Sequence, residues 1–226
     1  MTTDKSSRSV HPMPFVRIEL AVLAVADGEL LVLLGRREQS PYEGRWALPG
    51  GALRIDLDAD LDASCQRVAK ERLGVDLVGA SQLCAVGGRV RDPRAPWALS
   101  VVYRCVARKD SLPARPGKRI AELKWVEAQV AARDTNLAFD HGRLVEQAVD
   151  ALRLEVGELR FPAQLLEPKF TLFELQAVSE IVLGRPLDKS SFRRRLDAAG
   201  CVEPVSGEMR TGPFRPAQLH RLVAHP

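Results

Sequence analysis

Trp46-Ala47-Leu48-Pro49-Gly50-Gly51, then Arg67-Val68-Ala69-Lys70-Glu71-Arg72-Leu73-Gly74-Val75, decides the fold of this chain. The first segment closes a loop over 40–51, where paired glycines let backbone approach a ligand closely. The second ends a helix predicted over Leu61–Leu73, with Ala63, Arg67, Lys70 and Glu71 at helical spacing and Gly74 as its left-handed stop. Upstream, strand-like runs over 16–26 and 29–34 flank Ala26-Asp27-Gly28. Asp-Gly tolerates the positive φ of a tight turn, so these runs predict a hairpin. Downstream, β-branched runs over 83–90 and 99–107 flank the loop Arg91-Asp92-Pro93-Arg94. A short strand is predicted over 123–126 and a helix over 136–154, with apolar residues at 137, 144, 145, 148 and 152.

This order of hairpin, Leu-Pro-Gly-Gly, loop, Arg…Glu…Gly helix and strands resembles the Nudix box in its surrounding fold. The family pattern runs Gly, five residues, Glu, seven residues, then Arg-Glu-U-x-Glu-Glu-x-Gly-U, where U is apolar. Aligned on Gly74, the chain keeps Arg67, Glu71, Gly74 and apolar Ala69 and Val75, with a spacing from Gly51 to Arg67 two residues longer than the pattern. The family's glutamates fall on Val68, Glu71 and Arg72. Positions i, i+3 and i+4 share one helix face. Three carboxylates there suit Mg²⁺ or Mn²⁺, which polarise a pyrophosphate and activate water. Here one is valine and one is arginine, so a cation stands where a metal would. Asp56, Asp58, Asp60 and Asp62 are the nearby acids that could supply ligands instead. The resemblance implies a Nudix fold with weak or no hydrolase activity, no catalytic set and no metal. Arg72 can pair with a diphosphate and turn a hydrolytic site into a holding site; the plainer reading is a surface arginine. Arg67 is read as orienting Glu71, and Trp46 as a loop anchor.

Composition changes over 155–169, where Gly157, Pro162 and Pro168 interrupt the pattern; this is read as a linker between 14–154 and 170–226. A helix over 170–183 opens with Thr171 and Glu174, the spacing of a capping box, and stops at Gly184. Asp188 then caps a second helix, Lys189–Ala199, which Gly200 ends. The connection Arg185-Pro186-Leu187-Asp188 has helix-turn-helix length. From Arg185 to Arg195 there are five basic residues and one acid. Lys189, Ser190, Ser191, Arg193, Arg194 and Arg195 can reach base edges and phosphates in a major groove. Residues 201–222 read as a hairpin turning at Ser206-Gly207 or Thr211-Gly212, with Arg210 and Arg215 as wing contacts to phosphate. The plainer reading is a solvated basic helix over a core of Leu187, Phe192 and Leu196.

Together the halves resemble the Nudix-related transcriptional regulators of NAD metabolism over about residues 15–222. Leu137-Ala138-Phe139-Asp140-His141 looks like that family's Leu-Ala-Phe-Asp-His segment. Phe170-Thr171-Leu172, Glu174-Leu175-Gln176, Leu183-Gly184-Arg185-Pro186-Leu187-Asp188-Lys189 and Phe192-Arg193-Arg194 look like its helix-turn-helix. Ser191 departs from the Asn often found there. The implied fold class is α+β: an α/β/α Nudix fold with a mixed sheet, followed by a C-terminal winged helix-turn-helix. The implied function is a homodimeric repressor of NAD biosynthesis or salvage genes, binding a palindromic double-stranded operator and sensing ADP-ribose or a related metabolite as effector, with no cofactor. For the ligand, Arg37, Gly50, Gly51, Arg72 and Arg91 are expected at phosphates. Phe139 is expected to stack on a base or sit in the core, and His141 to bond a ribose or serve structure. Two rivals remain: an active ADP-ribose pyrophosphatase with an accessory rear domain, and a nucleic-acid-binding module with a vestigial front domain.

Composition bounds these readings. The 226 residues are 46% apolar and 27% charged, which excludes a largely disordered chain. No apolar run approaches the ~20 residues of a membrane helix, and no secretory signal is expected in the polar tail over 1–13. Cysteines 65, 84, 105 and 201 are scattered, which fits a reducing cytoplasm better than a disulfide or zinc framework. Arginine outnumbers lysine 26 to 7, which coding bias or phosphate recognition would each explain.

Overall fold

A computed structural model of the chain describes residues 13–212 and 215–223; the expected tail over 1–13 lies outside them except for Met13. In chain order the first part comprises β1 (Phe15–Ala26), β2 (Glu29–Arg37), β3 (Trp46–Ala47), β4 (Gly50–Ala52), α1 (Leu61–Leu73), β5 (Ser81–Gly88), β6 (Ala98–Val106), β7 (Ile120–Glu127), α2 (Ala128–Arg133) and α3 (His141–Gly157). Its strands form one seven-stranded mixed sheet. β1 is central, parallel to β6 and antiparallel to β2 and β4. β7 and β3 extend the sheet from β2, and β5 extends it from β6. The predicted hairpin turn is present, with φ of 55° at Asp27 and 80° at Gly28.

Alternation along β1 builds the layers. Ile18, Leu20 and Val22 pack against Cys65, Val68, Ala69 and Leu73 of α1. Ala21 and Leu23 face the other way, into a core with Leu144, Val145, Ala148 and Leu152 of α3. Arg17 and Glu19 share that second parity, so two charged side chains are carried under the α3 layer. The result is the expected α/β/α arrangement.

Three details differ from the sequence reading. The loop over 40–51 contains the short strands β3 and β4. The helix expected over 136–154 begins only at His141 and continues to Gly157, three residues into the expected linker. Residues before it form a turn in which Phe139 takes φ 57°, outside helical space. α2 has six residues and two buried positions, too few for a periodic signal.

The second part comprises β8 (Phe170–Thr171), α4 (Leu172–Leu183), α5 (Lys189–Ala199), β9 (Val202–Arg210) and β10 (Ala217–Leu222), with strand order β8-β10-β9. The capping box is made: Glu174 N–H donates to Thr171 Oγ1 at 3.2 Å and Thr171 N–H donates to Glu174 Oε2 at 2.7 Å. Losing such a cap costs about 0.5–2 kcal/mol. Gly184 and Gly200 end α4 and α5 in left-handed conformation, and Asp188 caps α5. Gly207 lies within β9 at φ 72°, so the hairpin turns later, between Arg210 and Ala217; positions 213 and 214 lie outside the described residues. Phe170, Leu175, Phe192, Leu196 and Cys201 form a separate core. α4 spans two cores: Leu175 belongs to this one, while Val182 is buried in the core beneath α3.

Candidate ligand cleft and nucleic-acid interface

Arg17, Arg37, Arg72, Arg94 and Arg119 converge on one cleft floored by residues 47–50. Strand β1 brings Arg17, β2 brings Arg37, α1 brings Arg72, and loops bring Arg94 and Arg119. Four of these guanidiniums, those of Arg17, Arg37, Arg72 and Arg94, are held by protein acceptors. Arg17 Nε donates to Glu19 Oε1 at 2.7 Å, with both side chains nearly solvent-free. Burial opposes the charge on Arg17, and Glu19 outweighs it, leaving the pKa raised. Arg94 pairs with buried Asp92. Arg37 Nε donates to the Pro41 carbonyl at 2.7 Å. Desolvation, with Arg17 and Arg94 adding like charge, pushes its pKa down to about 10. Cations crowded enough to repel one another are a receptor for an anion, whose arrival relieves the repulsion.

Phe139 is half-buried beneath this group. The guanidinium carbons of Arg37, Arg17 and Arg94 lie 5.0, 5.8 and 5.9 Å from its ring centroid, and Tyr42 meets its edge at 4.7 Å. The ring is therefore a plate under cations, rather than part of the aliphatic core. Gly50 faces the cleft, and a Cβ there would fall 1.8 Å from Glu19 Oε2. Gly51 faces away from it: its missing Cβ admits Val68, 2.9 Å off.

Three expected ligand residues are otherwise engaged. His141 is 1% exposed, and its Nδ1 accepts the Leu48 N–H at 2.9 Å. Burial lowers its pKa to about 4, so it is a neutral acceptor holding the cleft floor, the structural role the sequence also allowed. Arg91 is half-buried, donating to Ser100 Oγ at 3.0 Å and to the Asp140 carboxylate; it lies outside the cleft lining. Arg72 reaches the cleft, but its Nε and Nη1 donate to the carbonyls of Gly50 and Lys118, both at 2.7 Å. It is a buried brace with an edge toward the cleft rather than a surface residue.

Sequence reasoning missed Arg17, Arg94 and Arg119. Arg17 and Glu19 were detectable as two charges at period 2 inside an apolar strand. Arg94 stands in the Arg91-Asp92-Pro93-Arg94 loop, and it is Arg94 rather than Arg91 that lines the cleft. Arg119 carries no local signal.

The positions where a Nudix box carries its glutamates do not fit a metal centre. Val68 is in the core, and Arg72 is committed to carbonyls. Glu71 Oε1 accepts from Arg67 at 3.3 Å. The four upstream aspartates are also engaged. Asp58 takes both Arg67 Nε and Nη2, at 2.6 and 2.8 Å, which holds its carboxyl well below the usual range. Asp60 caps α1, Asp62 accepts the Tyr103 hydroxyl at 2.5 Å, and Asp56 pairs with Arg54. Among the described residues, no three His, Cys, Asp or Glu side chains gather.

On α5, Phe192 and Leu196 point into the core, leaving Lys189, Ser190, Arg193 and Arg194 exposed. None of the three cations there has a carboxylate partner among the described residues. Ser191 is half-buried, its N–H capped by Asp188 at 2.8 Å. Two expected contacts turn elsewhere. Arg195 is exposed as well, but its Nη2 donates to the Gly157 carbonyl at 2.7 Å, and Arg210 folds back onto Glu174 at 3.3 Å. Arg215 is exposed between β9 and β10.

Comparison with known proteins finds two families along the chain, the second starting inside the stretch read as a linker. A model of the NUDIX domain covers residues 17–148, and one of the NrtR DNA-binding winged helix domain covers 162–222. The chain is 35% identical over 216 residues to the ADPR responsive transcriptional repressor NtrR of Acinetobacter baylyi, spanning 96% of this chain and 85% of that protein. It is similar to the crystal structure of Shewanella oneidensis NrtR complexed with a 27mer DNA, at 32% identity and TM-score 0.77, over 92% of this chain and 93% of that one. It is also similar to the NUDIX domain of the same protein complexed with ADP ribose, at 29% identity and TM-score 0.57, over 63% and 90%. With both domains matched in order and a full-length relative above 30% identity, this chain belongs to the NrtR family of Nudix-related transcriptional regulators.

Proposed function

We propose that this protein is a cytoplasmic transcriptional repressor of NAD biosynthesis or salvage genes, whose Nudix domain binds ADP-ribose without hydrolysing it. The cleft carries the reading: five guanidiniums line it, and four of them are tethered by protein acceptors and so preorganised for a diphosphate. The commitments of Val68, Glu71, Arg72 and the four aspartates support binding in place of metal-assisted hydrolysis.

The exposed cations of α5 suit a DNA backbone and guanine edges. A homodimer would place two such helices on a palindrome with half-sites about one or two turns of 10–10.5 bp apart. ADP-ribose then acts by binding one domain arrangement better than the other, since differential affinity alone shifts such an equilibrium. No helix among the described residues is long and apolar enough to cross a membrane.

The test is calorimetric titration of the full chain with ADP-ribose in EDTA, beside a turnover assay with Mg²⁺ and Mn²⁺. Metal-free binding, weakened at least tenfold by Arg37→Ala and without turnover, is expected. Metal-dependent release of AMP would return the protein to the pyrophosphatases.

A further inference from the structure

Arg195 looks in sequence like the third of three DNA-reading arginines, yet its guanidinium points at the opposite domain. It donates to the carbonyl of Gly157, the last residue of α3. That carbonyl belongs to the negative end of the helix dipole, which favours a cation. A second arginine crosses the same boundary the other way. Arg153, on α3, donates from Nε to the Val182 carbonyl in the last turn of α4 at 3.1 Å, beside the Gly184 that opens the turn into α5.

The other end of α3 is tied to the cleft floor. Leu48 N–H donates to His141 Nδ1, and Ala138 N–H donates to the Trp46 carbonyl at 2.8 Å. Between these ends α3 has seventeen residues, about 25 Å at 1.5 Å per residue. Its Leu144, Val145, Ala148, Val149, Leu152 and Val156 are buried along one face, so it moves as a rod.

Resting on the ADP-ribose reading, we infer that Arg153 and Arg195 are positioning residues that latch the DNA-reading unit to the far end of α3, so that cleft occupancy is read at α5 through that helix. A ligand that shifts residues 47–50 shifts the start of α3, and the latch carries the displacement to α4 and α5. Arg195 then serves coupling, while Arg193 and Arg194 serve affinity.

The test uses the full chain, EDTA, fixed salt and a labelled duplex from the region upstream of its own coding sequence. DNA affinity is measured by anisotropy with and without ADP-ribose. Wild-type protein is expected to show a coupling of about 5–150-fold. Arg153→Gln and Arg195→Gln each reduce it below about twofold, with ADP-ribose affinity in the absence of DNA and the unfolding midpoint unchanged. Arg153 lies on α3, off the α5 surface, so its effect does not arise from a lost DNA contact. Arg193→Gln weakens DNA binding and keeps the coupling. Full coupling in both latch variants overturns the inference. So does an Arg195→Gln protein that loses one unit of salt slope yet keeps coupling, which makes Arg195 a phosphate contact. A wild-type protein that binds DNA indifferently to ADP-ribose overturns the proposed function itself, and the latch with it.

Discussion

The cleft and the α5 surface use the same residue type in opposite ways. In the cleft, Arg17, Arg37, Arg72 and Arg94 turn inward and are fixed by Glu19, Asp92 and backbone carbonyls before any ligand arrives. On α5, Lys189, Arg193 and Arg194 extend into solvent with no fixed partner among the described residues. The first arrangement holds one small anion in one pose, because its donors are already aimed. The second suits a long polyanion, where displaced counterions drive association and side chains settle after contact. An arginine-rich composition therefore has no single meaning; the acceptors around each guanidinium assign it.

The strongest way to break this contrast is to remove the partner of a preorganised cation. Glu19→Ala leaves Arg17 buried without its paired carboxylate, with only the more distant Asp92 favouring its charge, and should lower stability by about 3–5 kcal/mol in urea unfolding. A loss under 1 kcal/mol would mean that the cleft cations are not held as described.

Acid should then separate the two regions. Burial keeps the folded-state pKa of His141 near 4, below its ordinary value of about 6.5. The unfolded chain takes the proton first. The contribution of His141 is therefore complete above about pH 6.5 and lost as pH falls toward 4, about 3 kcal/mol in all. Unfolding free energies measured across that window should show the limb in wild type and lack it in His141→Gln. The winged-helix core, Phe170 with Phe192 and Leu196, carries no such group.

A smaller effect sharpens the assignment within the basic surface. Arg193→Ala or Arg194→Ala should weaken DNA binding by about 1–3 kcal/mol where the side chain meets a base, or lower the salt slope by about one where it meets phosphate. Arg210→Ala, which breaks a half-exposed pair with Glu174, should change stability by less than about 1 kcal/mol and DNA affinity by less than twofold. Equal losses at Arg193 and Arg210 would restore Arg210 to the wing contacts.

Local rules made much of the fold legible. Asp27-Gly28, Gly74, the Thr171–Glu174 box, Asp188 and Gly200 each ended or began an element where backbone chemistry required it. The start of α3 was misread because Leu137 continues an apolar period, while Phe139 breaks it with a conformation that no periodicity reveals. The site was less legible than the fold. Arg37, Gly50 and Arg72, expected at phosphates, do line the cleft, but Arg17, Arg94 and Arg119 come from elements distant in sequence, and only the fold brings them together. His141, Arg91, Arg195 and Arg210 were the right type for a ligand or DNA contact and had closer partners. Partner choice is a tertiary property, so residue type alone does not reveal it.

The most direct test of the account is titration of the protein–DNA complex with ADP-ribose in EDTA at fixed salt, with the nucleotide recovered afterwards. The account predicts a change in DNA affinity of at least about fivefold with ADP-ribose returned intact. Unchanged DNA affinity at saturating ADP-ribose would contradict it.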